Sequence, residues 1–133
     1  MKISTRGRYA IRMLQDIASQ HTDHYLTLKD IAERQGISLK YLEQIAKALS
    51  KAGVLETSRG HGGGYRLHGS AADYTVYDIL CIAEDSLAPV ACLEQPDNTC
   101  PRRDSCPTLS LWEGLDRTVR EYLQQYTIQD LVK

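Results

Sequence analysis

Residues 38–67 read SLKYLEQIAKALSKAGVLETSRGHGGGYRL and join two patterns. The first half repeats apolar residues at helical spacing, which predicts an amphipathic helix beginning after Ser38 and ending at Gly53. The residues expected to face inward are Leu39, Leu42, Ile45, Ala46 and Leu49. The second half predicts a hairpin, because two short alternating runs flank glycines that tolerate positive φ and close backbone approach.

A shorter helix is predicted just upstream, over TLKDIAERQG. Thr27 and Asp30 at its start resemble a capping box, and Gly36 supplies a stop. A short helix, a tight turn and a second helix form a helix-turn-helix, and a hairpin directly after it is a wing. With the earlier helical run GRYAIRMLQDIASQ, residues 1–69 are therefore expected to form a winged helix-turn-helix domain with a two-stranded wing.

The outer face of the second helix carries groups suited to DNA. Side chains near the start of a recognition helix reach base edges; Glu43 can accept from cytosine and Gln44 can pair with adenine. A basic residue at the wing tip suits the minor groove. The predicted DNA contacts are Lys2, Arg6, Ser38, Lys40, Tyr41, Glu43, Gln44, Lys47, Arg59, His61, Gly62 and Gly63. An ordinary solvated polar face is the alternative for the helix taken alone.

Charge is distributed unevenly along the chain. Residues 1–69 carry 11 Lys and Arg against 6 Asp and Glu, whereas residues 70–133 carry 5 against 11. The first part is net +5 and the second net −6, within a chain of net charge −1. An anionic partner is expected for the first part, and double-stranded DNA fits it.

The second part, residues 70–133, is predicted to contain a long helix over residues 109–125. An apolar and aromatic stripe at spacings of 3, 4, 3 and 4 follows it: Trp112, Leu115, Val119, Tyr122 and Tyr126. Such a heptad stripe favours a partner helix, so these residues are the predicted homodimer interface. Packing on its own domain is the alternative. The fold class is thus mainly α, a winged helix with a long C-terminal dimerisation helix.

Three of the four cysteines, Cys92, Cys100 and Cys106, lie in a turn-rich stretch of the second part, just before the long helix. Without an apolar leader at the N-terminus the protein is expected to be cytoplasmic, where thiols stay reduced and disulfides are rare. Zinc sites usually pair cysteines two to four residues apart, a spacing not found here. The wider spacing favours an iron–sulfur cluster, with thiol redox sensing and a structural loop as alternatives.

The stretches GRYAIRML, ISLKYLEQIAKAL and above all SRGHGGGYRL resemble the Rrf2 family of bacterial winged-helix transcriptional regulators. The resemblance continues through YTVYDIL, the cysteines and the closing YTIQDLV. It implies a homodimer that reads a pseudo-palindromic DNA site with residues 38–51 and 59–65. The three cysteines place the chain near the family's iron–sulfur-sensing branch, which implies a [2Fe-2S] or [4Fe-4S] cluster on Cys92, Cys100 and Cys106.

The resemblance leaves the fourth ligand of the cluster unknown. Leu109 stands where one group of relatives has a ligating histidine, and Arg8 where another has an acidic ligand. Cys81 is expected to be a buried small hydrophobe because Leu80 and Ile82 flank it. Asp97, Asp104, Ser110 and an exogenous thiol or water remain as candidates.

No nucleophile–base pair suited to catalysis is found in the sequence, so an enzyme and a small-molecule substrate are not expected. An electron carrier would explain the cysteines but has no use for a wing with an arginine at its tip. No apolar run approaches the roughly 20 residues that span a bilayer, so no membrane partner is expected.

Overall fold

The computed structural model describes residues 1–60 and 63–133. This part of the chain forms five α-helices and one antiparallel pair of strands. The helices are α1 Thr5–Ser19, α2 Leu28–Gln35, α3 Leu39–Lys51, α4 Val76–Ala83 and α5 Leu109–Gln124, and the strands are β1 Leu55–Ser58 and β2 Gly64–Leu67. The mainly helical winged-helix fold expected from the sequence is confirmed.

Hydroxyl side chains cap four of the helices at their N-termini, and the sequence predicted the caps at Ser38 and Thr27. Ser38 accepts from the Tyr41 amide at the start of α3, and Ser4 caps α1 in the same way. The capping box of α4 is complete, since Thr75 and Asp78 bond reciprocally. At α2 only the first bond forms within the described chain, from the Asp30 amide to Thr27.

The core lies between α1, α2, α3 and α4. Met13, Ile31 and Leu42 have no exposed surface there. Leu39, predicted to face inward, is 43% exposed. It is the first residue of α3, and helical side chains tilt toward the helix N-terminus, so Leu39 projects beyond the end of the core.

The wing is a regular antiparallel hairpin in which Leu55 pairs with Leu67 and Thr57 with Tyr65. Leu26, just before α2, extends this sheet through two hydrogen bonds of 2.8 Å with the Tyr65 backbone. A side chain at Gly64, whose φ is +152°, would collide with the Leu26 carbonyl. The glycine run therefore serves the protein's own close backbone packing at this position.

The last residues of the chain return to the first domain. A 3-10 turn, Gln129–Leu131, follows Thr127, and Ile128 is fully buried. Ile79 of α4 and Ile128 thus complete a core that begins in α1. The closing segment thus packs against the first domain through a single helical turn. The division of the chain after residue 69 stays a prediction. No helix in the described part of the chain could cross a membrane.

Candidate nucleic-acid interface and cysteine segment

A groove of about 430 Å³ runs between α3 and the wing. It brings together three predicted DNA contacts, Glu43, Lys47 and Arg59. We call it the reading groove; its other lining residues are Ser50, Thr57, Ser58, Gly64 and Tyr65. Thr57 and Ser58 lie outside the segments expected to read DNA, and the pairing of Thr57 with Tyr65 in the hairpin register could have identified Thr57. The side chains of Thr57 and Tyr65 form one wall of the groove.

Basic side chains at the reading groove are free to meet an external anion. Lys40, Lys47 and Arg59 are exposed, and none of them belongs to an ion pair within residues 1–60 and 63–133. By contrast, Arg34 is paired with Asp16, and Arg66 with Glu56. Within the described residues, the outer face of α3 and the adjoining edge of the wing therefore carry cations without an ion-pair partner.

The predicted contacts at the start of α3 differ in their surroundings. Ser38, Glu43 and Gln44 are exposed. Tyr41 is half-buried and its ring meets that of Tyr9 edge-on, with centroids 5.5 Å apart. The contact with Tyr9 restricts the position of the Tyr41 side chain, whose role toward DNA stays a prediction.

Two other predicted contacts lie away from the reading groove, at the N-terminus. Lys2 is exposed. Arg6 is also exposed, but its Nε donates to the Ala83 carbonyl at 2.6 Å and its Nη2 lies 3.4 Å from Asp85 Oδ1. At the wing tip, His61 and Gly62 lie outside the described residues, while Gly63 closes the turn by donating to the Gly60 carbonyl. No observation tests the role of these residues toward DNA.

The residues of the predicted dimer stripe on α5 differ in exposure: some are exposed and others pack on their own chain. Leu115, Tyr122 and Tyr126 are 37%, 56% and 39% exposed, and Leu111, absent from the prediction, is 61% exposed. We call these four residues the open face. Trp112 and Val119 are half-buried against their own chain. Tyr126 lies just past the end of α5, so the stripe does not run along one helix throughout.

Residues 84–108, here named the cysteine segment, connect α4 to α5. Cys92 lies in the 3-10 turn Ala91–Leu93, and the Cys100 amide donates to Asn98 Oδ1 at 3.0 Å. All four cysteines are free thiols, and Cys92, Cys100 and Cys106 are half-buried. They are thus reduced and reachable by a small reagent.

Cys106 lies in an environment that favours its thiolate form. Its Sγ lies 3.5 Å from the Thr108 hydroxyl, just before α5. That hydrogen bond, followed by one from the Thr108 backbone, lowers the pKa of the thiol, and Arg102 adds a smaller effect in the same direction. A larger share of Cys106 is therefore thiolate, the form that binds metal and reacts as a nucleophile.

Cys81 was predicted to be buried, and this was wrong: its side chain is exposed on α4. Successive helical residues point about 100° apart, so burial of Leu80 says nothing about its neighbour. Cys81 lines a cavity of about 530 Å³ together with Leu93 and Glu94, immediately after Cys92. This cavity therefore lies between α4 and the cysteine segment.

The cysteine segment fits an iron–sulfur cluster by its donor chemistry, because thiolates are the ligands of such clusters. Its geometry is not that of an assembled site. Among residues 1–60 and 63–133, no three His, Cys, Asp or Glu side chains come close enough together to hold a metal ion. The turn-rich segment would have to draw its thiols together around a cluster.

Known proteins resemble this chain over nearly its whole length. The profile of the Rrf2 family, described as iron-dependent transcriptional regulators, matches residues 3–133. The protein named rrf2 from Nitratidesulfovibrio vulgaris is 41% identical over 133 residues, which is all of this chain and 88% of that one.

Solved structures share the fold as well. The IscR of T. potens is 35% identical with a TM-score of 0.78, covering 98% of this chain and 85% of that one. CymR, the global cysteine regulator of B. subtilis, is 33% identical with a TM-score of 0.77, covering 98% and 95%. Both are winged-helix regulators of the kind that the arrangement of α2, α3 and the hairpin indicates.

Proposed function

This chain belongs to the Rrf2 family of transcriptional regulators, and we propose that it is a homodimer whose affinity for a pseudo-palindromic operator depends on Cys92, Cys100 and Cys106. The observation that carries the proposal is the reading groove. It places the exposed Glu43 and the unpaired Lys47 and Arg59 on one concave surface between α3 and the wing.

The proposed roles of the side chains at and beside the groove, contact to phosphates or to bases, follow from their chemistry. Lys40, Lys47 and Arg59 neutralise phosphates, which gives affinity without sequence preference. Glu43 and Gln44, at the exposed start of α3, read base edges in the major groove. Tyr41, fixed against Tyr9, keeps that end of the helix in one orientation.

The open face of α5 supports a second copy of this chain as the partner. Leu111, Leu115 and Tyr122 are an exposed apolar and aromatic strip on a 16-residue helix. Monomeric proteins rarely leave such a strip in water. A two-fold dimer would place two recognition helices in successive major grooves, so half-sites are expected about 10 base pairs apart or a little more.

The cysteine segment is proposed to hold an iron–sulfur cluster on Cys92, Cys100 and Cys106. The family description as iron-dependent and the likeness to IscR support this assignment. When bound, such a cluster supplies redox and ligand-exchange chemistry. Cys81 joins Asp97, Asp104 and Ser110 as a candidate fourth ligand, because it lines the same cavity as Leu93 and Glu94 of the cysteine segment.

A thiol switch without metal is the second candidate. The lowered pKa of Cys106 and the three accessible thiols favour it. The likeness to CymR, the global cysteine regulator of B. subtilis, agrees with it. The CymR of Staphylococcus aureus, which also shares the fold, has been solved in an oxidised form. In this case, oxidation of Cys106 rather than loss of a cluster would change operator affinity.

One experiment separates the two candidates. The protein is purified without oxygen, its absorbance and iron content are recorded, and an operator is selected from a promoter library. Affinity for that duplex is then compared between holoprotein, apoprotein and peroxide-treated apoprotein, with the Cys100→Ala variant beside them. A holo–apo difference that Cys100→Ala abolishes supports the cluster.

The remaining outcomes also discriminate. An affinity that changes only with peroxide supports the thiol switch. If all samples bind the selected operator identically, the cysteines do not control DNA binding. Loss of all sequence preference would instead contradict the assignment of α3 as the reading helix.

A further inference from the structure

The start of the cysteine segment is bonded directly to the start of α1. Glu84, the residue after α4, accepts hydrogen bonds at 2.8 Å from both the backbone amide and the hydroxyl of Ser4. The same Ser4 hydroxyl accepts from the Gly7 amide at 3.0 Å and thereby caps α1. One carboxylate therefore holds the residue that sets where α1 begins.

Packing confirms that this contact is tight. Gly7 is buried, and a Cβ there would collide with Glu84 Oε1 and would lie 3.1 Å from Leu80 Cδ2. The glycine allows the carboxylate to lie against the α1 backbone. Movement of the Glu84 carboxylate would thus act directly on the first turn of α1, because no third residue lies between them.

Arg6 reinforces the contact one residue on each side. Its Nε donates to the Ala83 carbonyl at 2.6 Å, and its Nη2 approaches the fully exposed Asp85 at 3.4 Å. The exposed ion pair adds little energy by itself. Together with the bonds to Glu84, however, it fixes three consecutive residues at the end of α4 to the first turn of α1.

The residues before α1 meet both neighbouring elements. Met1, Lys2 and Ile3, here named the N-terminal arm, share a small cavity of about 130 Å³ with Leu87 and Ala88 of the cysteine segment. Val119 of α5 lines the same cavity. The arm therefore lies where the cysteine segment and the proposed dimer helix come together.

We propose that Glu84 is a positioning residue that transmits the state of the cysteine segment to α1 and the N-terminal arm through its bonds to Ser4. This rests on the proposed function, because it names how that function is regulated. A change that rearranges the segment would pull on the Ala83–Glu84–Asp85 junction. Because α1 packs on α3, the shift would reach the orientation of the recognition helix.

The test uses the full-length chain with Cys81→Ser, so that iodoacetate carboxymethylates only the three thiols of the cysteine segment. Hydrogen exchange of the peptide over residues 1–10 is measured before and after modification. We expect several-fold changes in exchange at the first turn of α1 in the parent protein. Glu84→Ala should abolish the response, whereas Glu84→Gln should retain it because its Oε1 still accepts from Ser4.

Two further variants keep the test decisive. Ser4→Ala removes only one of the two bonds to Glu84 and should reduce the exchange response. It replaces Glu84→Ala as the test variant if Glu84→Ala does not fold. Asp73→Ala is the matched control: it removes a carboxylate–amide bond of the same 2.8 Å length, to Ser70, away from the junction. It should respond like the parent. A parent without any change, or a Glu84→Ala variant that responds fully, overturns the proposal.

Operator binding by the same samples separates this inference from the function on which it rests. If hydrogen exchange at α1 responds and operator affinity does not, the cysteines do not control DNA binding, whereas transmission from the cysteine segment to α1 through Glu84 is supported. If affinity responds and exchange at α1 does not, the regulator stands and transmission through Glu84 is wrong.

Discussion

Arg34 holds Asp16 in a two-pronged ion pair that fastens α2 to α1. Arg34 Nη2 and Nε donate to Asp16 at 2.6 and 3.1 Å, and the amide of Gln35 adds a bond of 2.8 Å. Asp16 is only 4% exposed. The hydrogen bond with Asp16 raises the pKa of Arg34 above its ordinary value. The buried Asp16 carboxylate therefore holds the first helix of the helix-turn-helix, α2, against α1.

Replacing Asp16 by alanine should destabilise the protein by about 2–3 kcal/mol. The change removes the buried carboxylate that accepts from Arg34 and Gln35, and hydrogen bonds to a charged group contribute about 1.5–3 kcal/mol. Urea unfolding at one fixed protein concentration measures the effect. Asp116→Ala, which breaks the more exposed pair with Arg120, is the control and should cost less than about 1 kcal/mol. Equal losses would contradict the anchoring role.

Arg59→Ala should weaken operator binding and flatten its dependence on salt. Each phosphate contact contributes about −0.9 to the slope of log affinity against log salt, and the dimer loses one contact per subunit, so the slope should become shallower by about 2. Fluorescence anisotropy across a salt series measures it. Arg66→Ala, whose guanidinium is occupied by Glu56 and Tyr25, serves as control and should leave the slope unchanged.

Gln44→Ala should relax base preference at one position of each half-site. A bidentate contact to a base contributes about 1–3 kcal/mol of discrimination. Affinities for operators substituted singly at every position reveal it. Lys47→Ala should instead weaken all operators alike, and a position-specific effect there would show that the two roles have been exchanged.

Leu115→Asp should dissociate the dimer and weaken operator binding with it. The open face would gain a charge whose desolvation costs several kcal/mol, and two half-sites would no longer be held together. Light scattering gives the mass. Arg117→Asp places the same residue on another, exposed face of α5 and should remain dimeric. A dimeric Leu115→Asp protein would mean that the interface lies elsewhere.

Cys106 should alkylate at a lower pH than an ordinary thiol. Its lowered pKa means that the thiolate is populated below the usual value of about 8.5 and is lost only as the pH falls further. Iodoacetamide labelling of apoprotein, read peptide by peptide against pH, gives the midpoint. Thr108→Val removes the hydroxyl that stabilises the thiolate, so its midpoint should move upward.

Local signals predicted the helix starts well. Ser38 and Thr27 cap their helices as expected, because a hydroxyl and the amide three residues later form a contact within one turn. The spacing of apolar residues likewise placed Leu42 and Ile45 in the core. These features depend on neighbours in sequence, so the sequence alone determines them.

Features that depend on distant neighbours were not predictable in the same way. Cys81 is exposed because of which side of α4 meets α1, and that is a property of packing. The bridge from Leu26 to Tyr65 and the bond from Ser4 to Glu84 join residues far apart in the chain. The reading groove was predicted in part, since α3 supplied its basic residues but the wall from Thr57 and Tyr65 emerged only with the hairpin register.

Ile128, fully buried beside the first helix, has a consequence for how the protein is made. During translation the helices that read DNA leave the ribosome long before residue 128 is added. Their shared core gains its last buried side chain only when Ile128 arrives and the Ile128 amide bonds to the Tyr74 carbonyl at 2.9 Å. A chain that stops before residue 128 therefore lacks one wall of the core and should be less stable than the complete fold.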